Sequence, residues 1–411
     1  MTEEQDVAGL GAALHRATDS LAAPGFAAHA ALVARHRRAR NRGLAVAAAV
    51  VAVAAVIALS QLPGRSGTER PVGPSTPSLT PPATPSAAVQ PRWDPFTVVD
   101  APLRPSVLPE RLAPPDSPPR VAEDPMGKAA VAWFEEGLDL RLLGIDGRWR
   151  SVPDTADAVS GKLHKVVTPA LAPDGRQVAM STDDGILLVD LATGVQRTIP
   201  WPPGPLAQPT DTAPALRWLP EDEGFVVLHW EQTWLVALDG TGRPAPYGAT
   251  APAQIAVDPE GSVVERRWDE SDLRVWRGGE VVSDVHVPYY GQRVVTRYGR
   301  LALTGWGTSL PGDNGPMVLD TATGELVAYA PIRDPDDAYG TSGHLSAVGF
   351  LDAETVLLMV GPIRFGEMDV GEESWHLVAW HLGTGGFERL TTGDSRMRHI
   401  DVAGDVIAAD E

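Results

Sequence analysis

An all-β ring of sheet repeats, carried on one membrane-spanning helix, is predicted by three observations. A small-residue turn followed by a short apolar strand recurs about every 46 residues. Gly and Pro, 41 and 38 of 411 residues, are too frequent for long helices. One uninterrupted apolar run with arginines clustered on its N-terminal side lies near the start of the chain.

Residues 1–43 read as a short cytoplasmic helical segment. Thr2 and Gln5 are spaced as a capping box, and Val7, Leu10, Leu14, Ala17 and Leu21 recur at three and four residues, giving one narrow apolar stripe that Pro24-Gly25 ends. So short a helix cannot bury its stripe alone, so it needs a cytosolic protein partner or the bilayer surface, or it stays partly unfolded. A plain topogenic leader is the competing reading.

Residues 44–62 are the predicted anchor. Nineteen residues of helix span roughly 28 Å, about one hydrocarbon thickness. Arg35, Arg37, Arg38, Arg40 and Arg42 immediately precede the run, and only Arg65 and Arg70 follow closely, which places the N-terminus in the cytoplasm and the C-terminal domain outside the cell. Ala58-Leu59-Ser60 before Gln61 also reads as a signal-peptidase site, and an Ala-rich run also suits a buried soluble helix; both alternatives stay open at this point.

The segment 63–95 holds nine Pro among Ser, Thr and Ala and no hydrophobic periodicity, the composition of a polyproline-type stalk whose hydroxyls suit O-glycosylation.

Residues 96–411 carry the repeats. The clearest turn is Ala172-Pro173-Asp174-Gly175 before a strand through Met180; related turns end at 127, 224, 261, 300, 354 and 405. Acidic-Gly or Thr-Gly hairpins follow further strands, as at Asp146-Gly147, Thr193-Gly194, Asp239-Gly240 and Thr321 to Gly324. A period near that of one four-stranded blade gives a β-propeller, seven-bladed on seven turns, with six or eight also compatible with the spacing. The seventh unit has only a turn and one strand, so N-terminal strands, Phe96 to Val99 and Val107 to Leu112, are expected to complete it and close the ring.

The pattern of Pro-Asp-Gly, apolar strand, second strand and acidic-Gly hairpin, best over 171–200, resembles the Tol-B-type, WD-like propeller repeat; the resemblance covers about 120–411 and implies fold. The layout of the first 90 or so residues (helical segment, Arg cluster, Ala/Val span, Pro-rich stretch) resembles actinobacterial membrane proteins that accompany extracytoplasmic-function sigma factors, without the His and Cys zinc motif of one large anti-sigma group. This implies a transmembrane regulator linked to a sigma factor, with a cytosolic protein, sigma factor or otherwise, as the partner of residues 1–43, and the missing zinc motif counts against a direct anti-sigma role.

Charge and chemistry narrow the function. The net charge is −19, but residues 1–43 carry six Arg against four acids, a balance of +2, so the remainder carries −21, which argues against nucleic acid as a partner. The absence of Cys removes disulfides, thiolate metal sites and thiol nucleophiles. No G-x-S-x-G elbow, H-E-x-x-H or Walker loop is present, and the reading is of no enzyme, no cofactor and no metal. His376 and His381, five apart on a strand, fall on opposite faces. Asp334, Asp336 and Asp337 lack calcium-loop spacing. Most of the 12 Trp, among them Trp133, Trp218, Trp230, Trp268, Trp306 and Trp380, are expected between blades. Three stretches exceed hairpin needs: Gly305 to Met317, Pro331 to His344 and Gly361 to Ser374. Asp336, Asp337, Tyr339, Arg364 and Phe365 within them are the candidate contacts for an extracytoplasmic ligand. The expected function is binding or sensing at the cell membrane, or signalling to a sigma factor; adhesion, and a hydrolase or lyase working in the central pocket, are the alternatives.

Overall fold

The structure, a computed structural model, describes residues 88–408 except 136, 157, 159–166, 204–212, 221–222, 230–231, 249–251, 267–271, 308–309, 311–313, 333–343, 362–373, 395–396 and 398–399. The cytoplasmic stripe, the arginine cluster, the anchor 44–62 and most of the stalk lie outside the described residues. Among the described residues no helix is long and apolar enough to cross a membrane.

Second strands of the repeats, and the third strands of blades 1, 2, 5 and 6, are short runs such as Ala129–Trp133 and Gly185–Asp190, buried on both faces because each sheet is sandwiched between its neighbours, whereas the third strands of blades 3 and 4 alternate in burial. The described residues form six such sheets. Blade 1 runs Ile400–Val402, Ala129–Trp133, Leu140–Gly144, Trp149–Val152 from the inside out. Blade 2 is Ala170–Leu171, Gln177–Ser181, Gly185–Asp190, Gln196–Pro200. Blade 3 is Ala215–Trp218, Gly224–His229, Gln232–Ala237, Gly242–Pro244. Blade 4 is Ile255–Val257, Ser262–Arg266, Asp272–Arg277, Glu280–His286. Blade 5 is Tyr289–Arg297, Arg300–Gly307, Gly315–Asp320, Leu326–Tyr329, and blade 6 is His344–Asp352, Thr355–Gly361, Trp375–His381, Phe387–Gly393. Each inner strand touches the next blade's inner strand, and Ile400–Val402 touches those of blades 2 and 6, closing the ring.

The architecture is therefore an all-β propeller with six blades among the described residues, not seven. The first six turns each precede a second strand. The seventh, Gly404-Asp405, opens the short helix Gly404–Ala408, whose Val406 and Ile407 are buried. Closure also differs from the expectation. The C-terminal strand Ile400–Val402 enters the first blade as its innermost strand, antiparallel to Ala129–Trp133. Phe96 to Val99 fall in a 3-10 helix, Pro95–Asp100, and not in a strand.

The N-terminal residues do reach the last blade, but on its outer rim. Ala88–Val89 pairs in parallel with the outer strand of blade 5, Arg111–Leu112 with that of blade 6, and Arg120 bridges to Ser151 on blade 1. Residues 88–121 thus form a belt over three adjacent blades. Its effect shows in burial: the outer strand of blade 1 is wholly buried, whereas those of blades 2, 3 and 4 are mostly exposed. The belt is pinned between blades 5 and 6. The Gln90 backbone N–H donates to Tyr329 O, its amide donates to Leu382 O at 2.8 Å, and its carbonyl accepts the Trp380 indole N–H at 2.7 Å. Trp93 stacks on Phe387 at 4.4 Å and donates to Ala330 O.

Trp133, Trp218 and Trp380 are buried, as expected for blade packing; Trp230, Trp268 and the Trp306 side chain lie outside the described residues.

Candidate binding face and channel

Strand direction sorts the connections into two faces. Inner strands all run the same way, so turns from first to second strand and hairpins from third to fourth share one face, the turn face. Hairpins from second to third strand and crossings to the next blade share the other, the loop face. All three long stretches of the sequence leave from the loop face. Two connect second and third strands of blades 5 and 6, and the third joins those blades. Asp336, Asp337, Tyr339, Arg364 and Phe365 themselves lie outside the described residues.

The turn face is partly crossed. The helix Gly404–Ala408 leaves blade 1, packs against inner-strand residues of blade 6, and pairs Asp405 with Arg297 of blade 5. Arg297 also lies over the Tyr298 ring at 5.0 Å. Nearby, burial pushes the Asp258 carboxyl above its usual range.

Inside the ring, Asp401 of blade 1 accepts the Leu171 backbone N–H on Oδ2 at 2.7 Å, and Trp218 of blade 3 donates to Ala170 O at 2.8 Å. The two-residue inner strand of blade 2 is thus held from both sides. Burial raises the Asp401 carboxyl and lowers the Arg217 guanidinium, while the charge of each opposes the other's shift. Neither residue stands out in the sequence, because their inner strands, Ala215–Trp218 and Ile400–Val402, are too short to show a pattern.

A second set of contacts stitches neighbouring blades near the loop face. Ser181 Oγ donates to Pro214 O at 2.6 Å, Thr304 Oγ1 to Leu345 O at 3.1 Å, and Arg266 Nη2 to Tyr289 O. In each, a second strand reaches the beginning of the next blade's inner strand.

The two histidines meet different partners. His376 is buried and shares a hydrogen bond with Thr392 Oγ1 at 3.0 Å, and burial followed by the Arg389 charge depresses it to about 4. His381 pairs through Nε2 with Glu388 at 2.7 Å on the outer side. Among the described residues no group of three or more His, Asp or Glu forms a metal shell.

No protein-family model matches the chain, and no curated protein matches its sequence. Solved structures to which it is similar include TolB from Acinetobacter baumannii, at 13% identity over 64% of this chain and 66% of that chain, TM-score 0.42. A putative TolB from Agrobacterium tumefaciens follows at 10% identity, 67% and 98% coverage, TM-score 0.41. A streptogramin B lyase aligns at 13% identity, 65% and 83% coverage, TM-score 0.41. The chain spans just under two thirds of the first of these. The likeness is one of fold, and the propeller itself rests on the order of its sheets.

Proposed function

We propose that the chain is a single-pass membrane protein that displays its propeller outside the cell as a binding or sensing module, with the loop face of blades 5 and 6 receiving the ligand. One observation carries the reading: the two longest connections between second and third strands, 308–314 and 362–374, and the crossing 330–343 leave the same face of two adjacent blades. Long connections on a rigid scaffold are where propellers gain recognition surface at little cost to the fold. The 19-residue apolar run with its one-sided arginine cluster supports the anchor and its orientation. In the sharper form of this reading, ligand outside alters what residues 1–43 hold inside, a sigma factor or another cytosolic protein.

A C-terminal reporter fusion combined with protease added to intact cells tests the arrangement. The expected result is reporter activity outside and digestion of the propeller; a protected propeller overturns it. Affinity capture on residues 1–43 tests the regulatory form, and recovery of no cytosolic protein leaves adhesion or scaffolding.

A propeller enzyme of hydrolase or lyase type is the rival reading. In its favour stand Arg217 and Asp401, two half-buried charged groups on inner strands of the ring, each shifted by desolvation toward its neutral form.

A further inference from the structure

The chain holds two asparagines in 411 residues, Asn41 and Asn314, and the second stands directly before a glycine. Its comparable tight turns are built on Asp instead, as at Asp146-Gly147, Asp174-Gly175 and Asp239-Gly240. Asn314 ends the connection 308–314 on the loop face and is half-buried at the entry to the third strand of blade 5, Gly315–Asp320. Packing fixes the glycine: a Cβ at 315 would lie 2.3 Å from Ala330 O, just past the outer strand of the same blade. The fold therefore gives Asn314 the least hindered neighbour that an asparagine can have.

The asparagine side chain is held against that neighbour's nitrogen. The Gly315 N–H donates to Asn314 Oδ1 at 3.0 Å, and Cγ is one carbonyl bond, about 1.2 Å, from that oxygen. In the three Asp-Gly turns the carboxylate instead accepts from the residue after the glycine, Arg148, Arg176 or Thr241. The glycine N–H of each donates to a main-chain carbonyl, that of Gly144, Ala172 or Ala237. Those carboxylates are thus kept off the glycine nitrogen. Gly315 also forms, with Gly305, the last pair of the ladder between the second and third strands of blade 5, so fraying of one terminal pair frees its nitrogen.

We infer that Asn314 is a self-modifying site, at which the Gly315 nitrogen attacks Asn314 Cγ and the side-chain amide is lost as ammonia. A solvent base takes the Gly315 amide proton, the N–Cγ bond forms, and Cγ–Nδ2 breaks as Nδ2 gains a proton from water, leaving a five-membered succinimide. Water then opens the ring at one of two bonds. Breaking N–Cγ gives aspartate; breaking the bond from the nitrogen to the main-chain carbonyl carbon gives isoaspartate, with the backbone rerouted through Cγ. Either product puts a new negative charge on the loop face. Isoaspartate also lengthens the backbone beside the bond from Ile332 N–H to Asn314 O, and Ile332 bridges Trp93 of the belt. The inference does not depend on what the loop face binds.

The test holds the full-length chain in detergent at mildly alkaline pH, folded and in urea, and follows the peptide spanning 314 by mass spectrometry, with isoaspartate separated from aspartate by chromatography. The expected result is conversion at 314 with isoaspartate among the products, at a folded rate above or within roughly tenfold of the rate in urea, because the fold already supplies the close approach. Conversion is lost in Asn314→Gln, whose longer side chain would have to close a six-membered ring, and the folded chain forms no isoaspartate at 146, 174 or 239. A folded rate more than roughly tenfold below that in urea, or isoaspartate forming as fast at the Asp-Gly turns, overturns the site. The wild-type comparison decides by itself, so a glutamine variant that fails to fold leaves the test intact.

Discussion

The Asp401 carboxylate and the Leu171 backbone N–H, 230 residues apart in sequence, meet at 2.7 Å inside the ring. The bond ties the last strand of the propeller to the shortest inner strand, that of blade 2. Asp401→Ala leaves a buried N–H without its acceptor and removes a charge that favours Arg217, so a loss of about 2–4 kcal/mol in urea unfolding is expected. Asp401→Asn retains an acceptor and cannot ionise, and should cost less. The raised carboxyl makes the sign specific: its stabilising contribution is complete below the unfolded value and lost as pH rises through the folded one. Equal losses in the two variants would show that closure does not depend on this bond.

Trp93 pins the belt between blades 5 and 6. Trp93→Ala should cost about 3–5 kcal/mol, the range for deleting a buried aromatic, and Trp93→Phe about 1 kcal/mol for the lost bond to Ala330 O. Limited proteolysis gives a second readout, with cleavage within 88–121 rising in the alanine variant. An unchanged melting temperature and cleavage pattern would mean that the belt is ornamental.

Gly194 and Gly147 are a matched pair of hairpin glycines with φ of 71° and 73°. A Cβ at Gly147 meets nothing within 4 Å, whereas one at Gly194 comes within 2.4 Å of Ala122 Cα at the end of the belt. Both alanine variants suffer the backbone cost, about 1 kcal/mol. Gly194→Ala should exceed Gly147→Ala by at least about 1 kcal/mol in chemical denaturation, through displacement of residues 120–122.

His376 supplies a pH dependence. Its folded value of about 4 lies below the ordinary 6.5, so the unfolded chain takes up the proton first. Stability is fully present above the ordinary value and falls as pH drops from there toward 4. His376→Gln, able to keep the bond to Thr392, should flatten the melting profile across this window, by roughly 2–4 °C at pH 5 relative to wild type. Parallel profiles would exclude His376 as the source.

Much of the ring was legible because its signals are local. Asp174-Gly175 and Asp146-Gly147 mark turns that any strand pair needs, and the third strands of blades 1, 2, 3, 5 and 6 show in the sequence before their hairpins, whereas that of blade 4, Asp272–Arg277, alternates polar and apolar residues and does not. The failures are nonlocal. Gly404-Asp405 has the composition of a repeat turn, yet with its ring position filled by Ile400–Val402 the following Val406 and Ile407 pack as a helix. The belt was legible only in part: Val107 to Leu112 was expected at the last blade, while Ala88–Val89 read as stalk, because these strands are two residues long and draw their partners from the far end of the chain. Asn314-Gly315 becomes notable only once its side-chain carbonyl is seen against the Gly315 nitrogen.

The belt and the closing strand also set an order of events during synthesis. Ala88–Val89 has no partner until Leu326–Tyr329 has been made, and Ala129–Trp133 lacks its inner neighbour until Ile400–Val402 follows. A nascent chain therefore holds unfinished sheet edges at its front through about 240 to 270 residues of elongation. Folding by such late pairings is slow, and the waiting edges invite association with other chains. The propeller matures as one unit after its closing strand is available, and that late step is where a chaperone would matter most.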